Sequence, residues 1–185
     1  MRNLVTMVVG LAFAACAHAA DVAGVSIADK ANVGGQDLVL NGAGVRTRAI
    51  FKVYVGSLYL PAKASDLAGV LAKAPRRIQM NLLRDLSADQ LLDALNDGLK
   101  DNNSAAELAS VKAQSDQLAS IMKSFGEVKE GNVVTLDYVD GGTVVTLNGA
   151  PKGTIPGEPF NRVLTKIWLG DKPAQADLKK AMLGG

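Results

Sequence analysis

The sequence is poor in the residues that carry most enzyme chemistry. Its 185 residues hold one cysteine, Cys16, and one histidine, His18. An internal disulfide and a C-x-x-C zinc finger are therefore excluded. Neither charge sign is in excess: Lys+Arg 20 against Asp+Glu 18 leaves +2, and no basic tract occurs. So weak a field argues against a nucleic-acid partner. No Pro/Gly/Ser-rich linker or internal repeat divides the chain, and no apolar run reaches the roughly 20 residues of a stable membrane span. What is present, 48% hydrophobic and 21% charged residues, describes a globular domain with its own core.

The first residues follow a different grammar. Arg2 gives a short positive start, Leu4 to Ala15 form a nearly uncharged apolar run, and Ala17-His18-Ala19 supplies an A-x-A cleavage pattern. Residues 1–19 are expected to be a secretory signal peptide, and residues 20–185 one exported, periplasmic domain. Lipid attachment at Cys16 is the alternative fate of this segment. Cleavage after Ala19 removes both Cys16 and His18. The mature chain then has no Cys or His nucleophile, no Ser-His-Asp triad and no imidazole ligand for a metal.

Residues 37–60 read as two long paired strands, rich in β-branched and aromatic residues up to Pro61. A short helix over about 65–73 follows. Ile78, Met80 and Leu82 then alternate with Arg77, Gln79 and Asn81 as a half-buried strand. Ser87 with Gln90 makes a capping box ahead of a leucine-faced helix, and Ser104 with Glu107 opens another that runs to Phe125. Strands over 133–138, 143–147 and 150–155 are separated by Asp140-Gly141 and Asn148-Gly149, both tight-hairpin signals. Pro159 starts an amphipathic helix ending at Gly170, and Pro173 opens a last one through Met182. This order is α+β, an antiparallel sheet packed by helices, and lacks the βαβα alternation of a parallel sheet.

Several candidate sites fail on context. Gly42-Ala43-Gly44 would need glycine where Thr47 stands to be a dinucleotide loop. Asp89, Asp93 and Asp97 lie opposite the leucines of their helix and read as a solvated face, so no metal or cofactor is expected. Phe160 and Trp168 read as core anchors. Arg46 is different: in an otherwise apolar extended region it must find an oxygen acceptor, either a structural carboxylate or a ligand. Tyr54, across the strand pair, is either a core residue or a phenolic donor to the same acceptor.

These residues carry a resemblance. Asn41-Gly42-Ala43-Gly44-Val45-Arg46, then Phe51-Lys52-Val53-Tyr54-Val55-Gly56-Ser57-Leu58-Tyr59-Leu60, resembles the signature of the chalcone isomerase superfamily, in particular its bacterial exported branch. Arg84-Asp85 and Leu164-Thr165-Lys166-Ile167-Trp168-Leu169-Gly170 with Pro173 are similar to the family's later pattern. The resemblance covers residues 37–183. It implies an open-faced β-sandwich, a large antiparallel sheet covered by helices with a ligand cleft between. The superfamily contains enzymes that cyclise chalcones, fatty-acid binders and non-catalytic relatives. In the enzymes the matching Arg assists a reacting phenolate; in the binders an Arg and a Tyr hold a carboxylate. Tyr54 is similar to the binders, whereas the isomerases carry Thr at that position. The stretch 86–95 lacks the Tyr, Lys and Asn that line the enzyme cleft, and Thr165 is the candidate for the enzymes' late polar residue.

The expectation is a monomer that binds a small amphipathic ligand, a fatty acid or other apolar carboxylate, through Arg46, Tyr54 and Thr165. The alternative is an intramolecular lyase acting on a phenolic or enone substrate, with Arg46 and Tyr54 as its catalytic groups. An adaptor with a vestigial cleft is a third reading.

Overall fold

The long extended region between residues 36 and 60 organises the sheet. The computed structural model describes residues 19–185. The expected leader, with Cys16 and His18, therefore lies outside the described residues apart from Ala19. An N-terminal hairpin, β1 (Ala19–Val22) and β2 (Val25–Ala28), precedes β3 (Lys30–Val33). The two long strands follow as β4 (Gln36–Arg48) and β5 (Phe51–Leu60), paired antiparallel with Arg46 opposite Tyr54 and Arg48 opposite Phe51. After α1 (Leu67–Leu71), β6 (Arg76–Leu82) adds to β5 with Ile78, Met80 and Leu82 on the inner face, as their alternation requires.

β7 (Leu86–Ser87) leads into α2 (Ala88–Asn102), where Ser87 and Gln90 form the capping box. Ser104 and Glu107 form the second, at the start of α3 (Ala105–Ser110). The single helix expected from Ser104 to Phe125 is in fact two. Val111 leaves the helical region at φ −118°, ψ 18°, and α4 (Lys112–Ser124) starts afresh beyond it. Val111 is 1% exposed, so the break turns its side chain into the core, and Ser115 Oγ bonds its carbonyl at 3.1 Å. Glu107 ties α3 to the next helical layer: its carboxylate accepts from Lys166 Nζ at 2.6 Å and from Ser104, which hold its pKa down to about 2.

β8 (Glu127–Val128) pairs with β7, and the meander follows as β9 (Val133–Val139), β10 (Gly142–Leu147) and β11 (Ala150–Pro156). Its turns hold positive φ at both central residues, 51° and 76° at Asp140-Gly141, 52° and 77° at Asn148-Gly149. Tight hairpins demand this conformation, and these dipeptides supply it. α5 (Glu158–Leu169) carries Pro159 in its first turn. α6 (Ala176–Met182) starts later than Pro173. The connecting segment is held instead by Asn102, whose side chain bonds the backbone of Lys172 at both C=O (2.7 Å) and N–H (2.9 Å).

The result is a seven-stranded antiparallel sheet in the order β11-β10-β9-β6-β5-β4-β3. Helices cover its inner face, where Leu58, Leu60, Leu136 and Val145 meet Leu118, Phe160, Leu164 and Trp168. Part of the outer face has a second small core under the β1–β2 hairpin, with Ile27, Leu38, Val55 and Tyr59. This is the expected α+β, open-faced sandwich.

α6 packs directly on β4 and β5 because the strands offer it no side chains. A Cβ at Gly42 would collide with the Ala181 carbonyl, and one at Gly44 would lie 2.7 Å from Ala181 Cβ. Gly56, opposite Gly44, faces Leu178. Asn41 fastens the seat: its Nδ2 donates to Met182 O at 2.7 Å and Ala64 O at 2.9 Å, and its Oδ1 accepts from Ala64 N at 2.8 Å. Gly44→Ala is expected to destabilise the protein by about 1–3 kcal/mol in urea denaturation. In an Ala181→Gly background the same substitution should cost less than half as much, because the obstructing Cβ is gone; equal costs would separate Gly44 from α6.

Candidate ligand-binding site

Between the sheet and α2, α4 and α5 the packing leaves a cavity of about 600 Å³. Its floor is the inner face of the sheet, with Met80, Leu82, Val134 and Leu136; its roof includes Leu91, Leu95, Met122 and Ile167. A volume of this size, apolar over most of its wall with a few convergent polar groups, is the usual form of a small-molecule site. Arg46, Tyr54 and Trp168 stand where β4 and β5 meet the end of α5; Arg84 and, on α2, Gln90, Asp97 and Asp101 are further polar groups on the wall.

Arg46 and Tyr54 are opposed in the strand register, so both side chains leave the same face of the sheet, and both line the cavity. Arg46 is half-buried. Its Nη1 donates to Thr47 O at 2.6 Å and, at a long 3.4 Å, to Gln175 Oε1, which also accepts from Thr47 N at 2.7 Å. Among the described residues no carboxylate lies in ion-pair range of Arg46. The structural-carboxylate reading of this arginine therefore fails, and most of its donors remain free for an acceptor in the cavity.

Tyr54 is oriented by a residue that sequence reading assigned to the core. Trp168 Nε1 donates to the Tyr54 hydroxyl oxygen at 2.9 Å, and Trp168 itself lines the cavity. Burial raises the Tyr54 pKa above the usual phenol value, outweighing the Trp168 hydrogen bond and the Arg46 charge, which both pull it down. Tyr54 thus stays a neutral phenol near neutral pH. With its oxygen accepting from the indole, its own O–H is left to donate. A signal for this pair existed in the sequence: a buried indole N–H must find an acceptor, and few residues of the adjoining strands could provide one.

Thr165 is elsewhere. It is 2% exposed and outside the cavity wall, and its Oγ1 donates to Asn161 O at 2.7 Å. Asn161 in turn accepts from Arg76 Nε at 2.8 Å and donates to Thr143 Oγ1 at 2.9 Å. Arg76 is 3% exposed, lies 4.2 Å over the Tyr138 ring and donates to Lys73 O at 2.7 Å. Burial lowers its pKa to about 10, still high enough to keep the charge. This network joins α5 to the sheet, and the structure brings Arg46 and Tyr54 together without Thr165.

The α2 wall follows the sequence pattern. From residues 86–95 it presents Leu86, Leu91, Ala94 and Leu95 to the cavity, with Gln90 the polar exception. Asp89 and Asp93 are exposed, and Asp97 reaches the rim. No group of three or more metal-ligating side chains occurs among the described residues.

The comparisons with known proteins agree with this architecture. A fatty-acid binding protein of Arabidopsis thaliana has a similar solved structure, with a TM-score of 0.66 at 13% identity, covering 86% of this chain and 92% of that one. At that identity the likeness shows the fold. Among curated proteins none matches the chain in sequence. The family model described as chalcone isomerase-like matches residues 19–184, nearly the whole described chain. The protein belongs to the chalcone isomerase-like family.

Proposed function

We propose that this protein binds a fatty acid or similar apolar carboxylate, tail in the cavity and head group at Arg46 and Tyr54, as an exported, periplasmic monomer. The observation that carries the reading is an arginine facing a mostly apolar cavity with no carboxylate partner among the described residues, beside a neutral phenol with an uncommitted proton. Arg46 supplies charge and Tyr54 a second donor, and charge-assisted bonds of this kind contribute roughly 1.5–3 kcal/mol each. Each methylene buried against the apolar wall adds about 0.8 kcal/mol. The fatty-acid binding relative of the same fold supports this choice of ligand class.

A lyase would need groups that place or remove protons on the substrate. Leu86 and, on α2, Leu91, Ala94 and Leu95 suit an alkyl chain; the carboxylates that border the cavity, Asp97 and Asp101, stand on the later part of α2.

Calorimetry with palmitate tests the proposal. Arg46→Ala is expected to weaken binding tenfold or more with the fold intact, and Tyr54→Phe to weaken it less. Unchanged affinity in Arg46→Ala would take the head group elsewhere. Trp168→Phe addresses the orienting bond. Losing the indole donor should move the Tyr54 pKa further up, followed by ring-carbon NMR of labelled tyrosine, and reduce palmitate affinity several-fold. A Tyr54 titration that does not move would break the link between the two residues.

A further inference from the structure

The connection between β4 and β5 departs from the usual chemistry of a hairpin turn. With Arg48 paired to Phe51, the two turn residues are Ala49 and Ile50, and Ala49 holds φ 54°. Tight turns of this kind favour Asn, Asp or Gly, as at the two meander turns. Here the tip is apolar: Ile50 is 85% exposed and Phe51 53%, the exposed large hydrophobics among the described residues. A single exposed apolar side chain is ordinary. Two in succession, at the tip of a hairpin with a 13-residue and a 10-residue strand, leave a contiguous apolar surface facing outward.

The tip is also cationic. Arg48 and Lys52 are exposed on either side of it, and the Arg84 guanidinium lies 4.8 Å over the Phe51 ring. No acidic residue occurs between Asp37 and Asp66. Among the described residues, Arg48, Lys52 and Arg84 form no ion pair. Asp85, next to Arg84 in the chain, is held by Lys129 Nζ at 3.1 Å and Glu130 N at 2.8 Å. Asp97 and Asp101, on α2, also border the cavity. Arg48, Ala49, Phe51 and Arg84 line the cavity as well, so the tip is part of its rim.

We propose that the β4–β5 tip docks on an anionic lipid bilayer. Ile50 and Phe51 enter the boundary between head groups and acyl chains, while Arg48, Lys52 and Arg84 face the lipid phosphates. Apolar side chains ringed by unpaired cations complement a surface that is negative outside and apolar within. The docking brings the cavity rim to the membrane, and its use, passage of a lipid acid into the cavity without crossing water, rests on the reading of the cavity given above.

Co-sedimentation of the mature chain, residues 20–185, with vesicles of mixed phosphatidylglycerol and phosphatidylcholine tests the docking. Wild type is expected to partition onto these vesicles, to leave pure phosphatidylcholine vesicles unbound, and to dissociate as salt rises. Ile50→Ser and Lys52→Glu should each weaken partitioning tenfold or more, while palmitate affinity in solution stays at the wild-type value, since neither residue lines the cavity. Absence of partitioning, or variants that partition like wild type, would overturn the proposal. So would a concentration-dependent dimer lost in Ile50→Ser without vesicle binding, which would make the tip a contact between copies. Calorimetry keeps the two readings apart: palmitate binding without vesicle binding removes the docking alone, and vesicle binding without palmitate binding removes the cavity reading alone.

Discussion

The architecture depends on the close approach of α6 to β4 and β5. Gly42, Gly44 and Gly56 form a patch of bare backbone, and Ala181 and Leu178 settle onto it. A helix that sits so low brings its leading residue, Gln175, to the level of the strands, where its amide oxygen accepts from Thr47 N and, weakly, from Arg46. The same contact that closes the core thereby fixes the backbone beside the cavity's arginine. Helix packing and the position of the cavity's arginine are set by one short stretch of β4: Asn41 and the glycines seat α6, and Arg46 faces the cavity.

The site itself is economical in polar groups. Its order comes from hydrogen bonds that use up the acceptors and leave the donors: the Trp168 N–H occupies the Tyr54 oxygen, and Thr47 O holds one nitrogen of Arg46. Arg46 and Tyr54 together leave a convergent pair of donors facing the cavity, which suits an anionic group; the carboxylates that border the cavity, Asp97 and Asp101, stand on α2. The buried Arg76 shows the contrasting arrangement, with Asn161, Lys73 O and the Tyr138 ring gathered about it.

Much of this was legible in the sequence because its signals were local. Alternation at Ile78, Met80 and Leu82, capping boxes at Ser87 and Ser104, and turn dipeptides at Asp140-Gly141 and Asn148-Gly149 each act within a few residues, and each element formed. The opposition of Arg46 and Tyr54 followed from a strand pair long enough to fix its own register. β1 to β3 were not legible, since four-residue strands carrying Asp21, Lys30 and Asn32 show too little periodicity to stand out from a loop. The break at Val111 is likewise invisible locally, because a valine fits a helix and only the core beneath α3 and α4 turns it inward. Thr165 and Trp168, three residues apart on α5, are both buried, as helical spacing says; only the third dimension says that Trp168, in the core, also meets the cavity and that Thr165 does not.

Gly98 in α2 gives the roof a fulcrum. A Cβ there would lie 2.7 Å from Ile167 Cγ2, so the absent side chain lets α2 rest almost directly on α5. Both residues border the cavity, and the N-terminal half of α2 extends from that crossing over the apolar wall. A larger residue at this single point would prop the roof higher and lengthen the space beneath Leu91 and Leu95, while Arg46 and Tyr54, on the opposite layer, kept their places. The length of the cavity and the polar end at Arg46 and Tyr54 are in this way mechanically separate, so the fold can alter one without rebuilding the other.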